Sequence, residues 1–300
     1  MGVDRNTAKL LLFAKQKGVD FRQTLMLGRQ QLYVTAQDVA ELSTQFKQNE
    51  PGDRLNYTPG TFGEPFFSLL GAKRIESIDY SSFEKATVIH DMNTPLPHEM
   101  KSQFTVVFDG GTLEHVFNFP IAIKNCMNAL TLNGHFISVT PTNNFCGHGF
   151  YQFSPELFFS LFSRRFGFEM IFAGVTTEEK GQTDRDWYQI TDPHQLKRRV
   201  TIVNNRPTSL MVIAKKITDQ EIDVLNPFQS DYEYIWSVQA SMEGNTPMAG
   251  EGNALYIYRK YVPEVIKKIV RRLARPDGKN DLRVGDLGMG NPDFFKKLDI

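Results

Sequence analysis

The stretch from Phe104 to Thr142, FTVVFDGGTLEHVFNFPIAIKNCMNALTLNGHFISVTPT, constrains the fold of this chain more than any other. Phe104 to Phe108 is a short apolar run rich in β-formers, and Asp109-Gly110-Gly111-Thr112 breaks it with turn residues. Apolar side chains then recur at Val116, Phe119, Ile123, Met127 and Leu130, which is helical spacing. Asn133-Gly134 stops that helix, and His135 to Val139 reads as the next strand. Strand, helix and strand in this order form a βαβ unit, whose crossover is right-handed and whose sheet is parallel. Ligands of such sheets gather at the carboxyl ends of the strands, where Asp109, Glu114 and His115 fall.

The alternation extends on both sides. Residues 7 to 16 predict a helix, Thr24 to Leu27 a buried strand ending at Gly28, and Thr35 or Asp38 a cap for a helix through Phe46. Residues 49 to 64 read as a loop and Pro65 to Leu70 as a short helix. Arg74 to Ile78 reads as a strand followed by Asp79, and Val88 to His90 as another followed by Asp91-Met92, with His90 as a packed core residue. In nucleotide-binding α/β sheets an acidic residue after the second strand accepts hydrogen bonds from ribose hydroxyls. The segment Pro141 to Phe153 is polar, glycine-rich and aromatic together, which suits a substrate-facing loop carrying His148 and Tyr151. Ser154 as N-cap and Pro155 at the first position open a further helix. Phe168 to Val175 and Ser209 to Ile217 read as two late strands.

The segments just quoted resemble class I S-adenosylmethionine-dependent methyltransferases. Phe104-Thr105-Val106-Val107 stands where they commonly carry an FDxV strand, with Thr105 in place of the Asp. Leu113-Glu114-His115 and the turn Asn133-Gly134-His135 match two further motifs. The resemblance spans residues 5 to 217 and implies a three-layer Rossmann-like fold: a mostly parallel seven-stranded sheet with an antiparallel edge hairpin formed by the two late strands. It implies S-adenosylmethionine as cofactor. Gly28 then lets the backbone approach the methionine part, Asp79 holds ribose, Asp91 and Met92 hold the adenine, and Asp109 and Glu114 complete the cofactor side. A glycine-rich GxGxG turn belongs after the first strand of that family, and here Gly28 alone occupies it.

Residues 218 to 300 form a C-terminal extension outside the resemblance. Asp231 to Met242 predicts a helix, Gly244 to Gly252 a linker, and residues 254 to 275 an amphipathic basic helix that packs on this chain or on a second copy, making a homo-oligomer. The last residues, Pro276 to Ile300, read as irregular.

Composition bounds the function. With 34 basic and 34 acidic residues the formal net charge is zero, and no interleaving of basic and aromatic residues marks a base-stacking groove, so no nucleic-acid partner is expected. The 24 Phe residues build an aromatic core or line a pocket. Cys126 and Cys146 support neither a disulfide framework nor a thiolate metal site, and no cluster shows metal-ligand spacing, so metal-free chemistry is expected. The absence of a secretory or membrane-spanning run points to a cytoplasmic protein.

Methyl transfer from a sulfonium is mostly a matter of alignment, with removal of a proton from a hydroxyl or ammonium acceptor. His148, His115 and Tyr151 are the candidates for that proton, and the acceptor expected is a small hydroxylated metabolite or sugar. Two other readings stay open: a domain that keeps the fold without catalysis, and another nucleotide-using α/β enzyme.

Overall fold

A computed structural model describes residues 2–47, 60–178, 184–242 and 289–300. The described residues fall into two compact units. The larger lies within Met1–Ile190, Asn205–Leu225 and Lys297–Ile300, and the smaller within Thr191–Asn204 and Asn226–Lys296.

The larger unit opens with β1 (Gly2–Val3) and α1 (Arg5–Gln16), which starts where the Asp4 side chain accepts a hydrogen bond from the Thr7 N–H. Next come β2 (Gln23–Leu27), β3 (Gln31–Leu32) and α2 (Ala36–Gln45). Thr35 and Asp38 both act at the start of α2, in a reciprocal capping box. α3 (Glu64–Leu69), β4 (Arg74–Asp79) and β5 (Val88–Ile89) follow. β6 (Phe104–Asp109), α4 (Phe119–Ala129) and β7 (Leu130–Asn143) form the βαβ unit. α5 (Pro155–Leu161), capped by Ser154, leads to β8 (Phe168–Thr177) and β9 (Trp187–Ile190). The smaller unit contributes α6 (Pro193–Leu196) before β10 (Thr208–Lys216) completes the larger one. α7 (Ser230–Met242) lies in the smaller unit, and β11 (Phe295–Leu298) closes the described chain.

One sheet of nine strands runs in the order β11-β9-β8-β10-β7-β6-β2-β4-β5. The five strands from β7 to β5 pair in parallel, whereas β10 is antiparallel to both β7 and β8, and β9 is antiparallel to β8. The sheet is therefore mixed, with two strands more than the seven expected. The predicted pair β8 and β10 is indeed antiparallel but lies inside the sheet, with β9 and β11 beyond it. Strand order reverses between β2 and β6, the topological switch point where doubly wound sheets bind ligands.

Helices cover both faces. Leu10, Leu12 and Phe13 of α1, Val39 and Leu42 of α2 and Phe66 and Phe67 of α3 share one core cluster with Val106, Phe108 and Ile137 of the sheet. Phe136 points to the other face and stacks on Phe158 and Phe162 at 6.4 and 4.8 Å between ring centroids. Most of the phenylalanines are thus core, and each such ring pair adds about 1 kcal/mol beyond its buried area.

Several local expectations need correction. β7 starts at Leu130 rather than His135: Asn133 takes a left-handed φ of +64°, and the β6–β7 register shifts between Phe104 and Val106, so the chain bulges there within one long strand. β5 ends at Ile89, leaving His90 half-buried beyond the strand rather than packed in the core. Phe295–Leu298 is a strand and not irregular chain. The linker at 244–252 and the amphipathic stretch at 254–275 lie outside the described residues. Among the described residues no helix is long and apolar enough to cross a membrane.

Candidate functional site

At the carboxyl end of β6 the chain makes a tight loop around Asp109. The side chain is fully buried, and one oxygen accepts the backbone N–H groups of Thr112 (2.8 Å) and Leu113 (3.3 Å), while the other accepts the Ser138 hydroxyl of β7 (2.8 Å). Burial pushes this carboxyl above the usual range, and the hydrogen bonds pull it back. Asp109 thus spends its acceptors on the loop itself and ties the ends of β6 and β7 together.

Leu113–His115 forms a single 3₁₀ turn, separated from α4, and not the start of that helix. The turn drives the Glu114 side chain inward to 0% exposure, where neither carboxylate oxygen has a hydrogen-bond partner among the described residues. Burial first, and the neighbouring Asp109 charge second, push Glu114 up to about 8. Its Oε1 faces His148 Nε2 at 3.5 Å and His115 Nε2 at 3.9 Å, and the two imidazole centroids are 4.9 Å apart in an edge-to-face arrangement. Burial and the adjacent His148 lower the His115 imidazole below its ordinary value.

The loop after β7 brings His148 there. The backbone N–H groups of Phe150 (2.7 Å) and Tyr151 (3.3 Å) both donate to the Glu114 carbonyl. Gly149 allows this approach: its φ is +71°, and a Cβ there would stand 2.9 Å from the Glu114 carbonyl oxygen. Gly149 is therefore a pinned contact that holds this loop to Glu114. Tyr151 is brought near but aimed elsewhere, with its hydroxyl donating to the Phe117 carbonyl at 2.6 Å. Phe117 and Phe150, both largely exposed, meet edge-to-face at 5.8 Å beside the cluster.

The nucleotide-side candidates lie along β2, β4 and β5. Gly28 follows β2 with φ +66°, and a Cβ there would approach Thr112 Oγ1 at 3.1 Å and Asp79 Oδ2 at 3.9 Å. Asp79 ends β4; its Oδ1 accepts the Ser81 N–H at 2.8 Å, and Oδ2 has no hydrogen-bond partner among the described residues. Tyr80 and Phe83 stand exposed next to it. Asp91 Oδ1 accepts from the Asn93 backbone and side chain, and these bonds hold its carboxyl below the ordinary range. Asn93 in turn accepts from the Asn118 N–H at 2.8 Å, which fixes this loop to the entry of α4. Met92 is buried.

Sequence reasoning missed Gln30. It is buried, its amide donates to the Leu27 carbonyl, and its Oε1 has no hydrogen-bond partner among the described residues and lies 2.5 Å from where a Cβ on Gly110 would be. This side chain lies across the switch point between β2 and β6. Expecting no metal-ligand cluster also needs correction: Glu114, His115 and His148 offer ligand atoms all within 4.8 Å of one another. Adjacent residues and a partner more than thirty positions away make no spacing motif, and only the backbone bonds to Glu114 join them.

No family model and no curated protein sequence matches the chain. Solved structures that it resembles include S-adenosylmethionine-dependent methyltransferases. A Bacillus halodurans protein proposed to be a methyltransferase is 13% identical, with a TM-score of 0.41, over 72% of this chain and 100% of that one. A SAM-dependent methyltransferase from Thermotoga maritima is 15% identical, with a TM-score of 0.35, over 71% and 91%. The 1,6-didemethyltoxoflavin-N1-methyltransferase of Burkholderia thailandensis, crystallised with S-adenosylhomocysteine, is 11% identical, with a TM-score of 0.37, over 71% and 78%. At these values the reading of the site rests on its own geometry.

Proposed function

We propose that the chain transfers a methyl group from S-adenosylmethionine to a small hydroxyl-bearing acceptor, such as a hydroxylated metabolite or sugar. The observation that carries this reading is the convergence of Glu114, His115 and His148 at the carboxyl ends of β6 and β7, beside a switch point whose other strands end in Gly28 and Asp79. The residues fit the cofactor on the nucleotide side: bare backbone at Gly28, an unpartnered Asp79 oxygen for ribose hydroxyls, and Asp91 with the buried Met92 for the adenine. When bound, the cofactor supplies an electrophilic methyl group.

The chain's own residues do the rest. Asp109 acts through the loop it holds, setting Glu114 and Thr112 in place. His148, or failing it His115, takes the acceptor proton, and both rings face Glu114 Oε1, at 3.5 and 3.9 Å. Phe117 and Phe150 offer an apolar platform for the acceptor. Tyr151 supports the loop through Phe117.

A second reading, a binding domain that has lost the cofactor, draws on one observation: Gln30 lies where a glycine-rich turn would leave open backbone. Isothermal titration with S-adenosylmethionine, S-adenosylhomocysteine and a dinucleotide separates the readings. Binding of the first two and not the third is expected. Asp79→Ala removes a charge-assisted contact of about 1.5–3 kcal/mol, so it weakens binding at least about tenfold. No binding of either adenosyl ligand favours the second reading, and an unchanged dissociation constant in folded Asp79→Ala contradicts the ribose assignment.

A further inference from the structure

We infer that Glu114, His115 and His148 form a binding site for a divalent transition-metal ion, with zinc as the reference case. A buried carboxylate in a stable fold is ordinarily hydrogen-bonded or paired. Glu114 is wholly buried, and neither oxygen has a hydrogen-bond partner among the described residues. Opposite it, His148 Nε2 is buried and likewise without one, although the two atoms face each other across 3.5 Å. Both groups point at the same small space without bonding each other, and His115 Nε2 stands 3.9 Å from the same oxygen.

The separations from Glu114 Oε1, 3.5 and 3.9 Å, are near those of ligands around one ion, and all three ligand atoms lie within 4.8 Å of one another, so a small rotation of a ring closes the set. Donors about 2.1 Å from a tetrahedral ion lie about 3.4 Å apart. Two imidazoles and one carboxylate are a donor set for zinc or iron(II), not for magnesium or calcium, which take oxygen. His148 Nε2 and both Glu114 oxygens are buried, whereas the His115 side chain is 49% exposed, so a further position for water or a small oxygen ligand would lie on the His115 side. Three protein ligands and one open position is the arrangement of catalytic zinc sites. Glu114 is set from behind by the backbone, because Phe150 and Tyr151 both bond its carbonyl and Gly149 packs against it.

A metal site at this cluster goes beyond methyl transfer and stands without it. If a cation occupied the cluster, both rings would be its ligands and neither would be a free base; the ion would lower the pKa of a bound hydroxyl, whose proton would pass to solvent water.

The test uses the full chain, stripped with a chelator and titrated with cobalt(II) chloride in the absence of any adenosyl compound. One equivalent is expected to bind, with a visible ligand-field band. His148→Ala and Glu114→Gln are each expected to weaken binding by about 100-fold or more, with folding checked by far-ultraviolet circular dichroism. His148→Ala sits on a half-exposed loop and decides the matter should Glu114→Gln fail to fold. No stoichiometric uptake by the parent, or unchanged affinity in a folded variant, overturns the site. Because no methyl donor is present, a failure here is separate from the adenosyl titration, which tests methyl transfer independently.

Discussion

Two buried carboxylates lie on one short loop and are treated in opposite ways. Asp109 closes the end of β6 with bonds from Thr112, Leu113 and Ser138, so every part of its charge is answered by the fold. Glu114, on the next turn, is equally buried and has no hydrogen-bond donor among the described residues. The first arrangement is what burial of an acid requires. The second costs stability unless something outside the polypeptide completes it. A satisfied buried acid reads as architecture, and an unsatisfied one beside two histidines reads as a site.

The contrast can be broken most forcefully at Asp109. Asp109→Ala leaves two backbone N–H groups and the Ser138 hydroxyl unpaired in the interior and is expected to cost about 4 kcal/mol in urea unfolding. A loss below about 1 kcal/mol would mean that the loop does not depend on this acid.

His135 extends the same logic to a base away from the cluster. Burial, then the nearby Lys215 charge, lower it to about 4 from an ordinary value of about 6.5. The unfolded chain therefore binds a proton that the folded chain refuses between those values. Stability is unaffected above about pH 6.5 and falls as pH drops toward 4, by about 3 kcal/mol from this group. Urea midpoints at pH 7 and pH 4 check it, and His135→Leu is expected to remove that share of the acid loss.

Tyr151 separates support from chemistry. Tyr151→Phe removes one hydrogen bond to Phe117 and is expected to cost about 1 kcal/mol of stability while leaving turnover within a few-fold. A loss of turnover on the scale of about 100-fold would return its hydroxyl to the reaction.

The smallest stability effect is expected at Glu114 itself. Glu114→Gln keeps the shape, and burial already favours the neutral form of Glu114 near pH 7, so stability in metal-free buffer should change by less than about 1 kcal/mol. A loss as large as that of Asp109→Ala would make the two acids equivalent and erase the comparison.

The features that follow local rules were legible in the sequence. Thr35 and Ser154 announce their helices because a cap needs only its own turn. The strand ends at Gly28, Asp79 and Asp109 follow from apolar runs broken by turn residues. What could not be read depends on pairing between distant segments. β9 and β11 are strands of four residues that exist because an edge is available to them. The early start of β7 comes from a bulge against β6, which overrides the turn signal of Asn133-Gly134. Ser138 answers Asp109 across strands, and His148 reaches Glu114 only through the Phe150 and Tyr151 backbone bonds. The candidate residues were visible one by one; that Glu114 is orphaned between two imidazoles is a fact of the tertiary structure.

The metal site is tested most directly by an anomalous difference map at the cobalt edge, from crystals of the full chain grown with cobalt(II). One peak is expected about 2.1 Å from Glu114 Oε1, His115 Nε2 and His148 Nε2, with a water or small ligand completing the ion. A map with no peak there, and with both Glu114 oxygens hydrogen-bonded to ordered water or to protein, would contradict it.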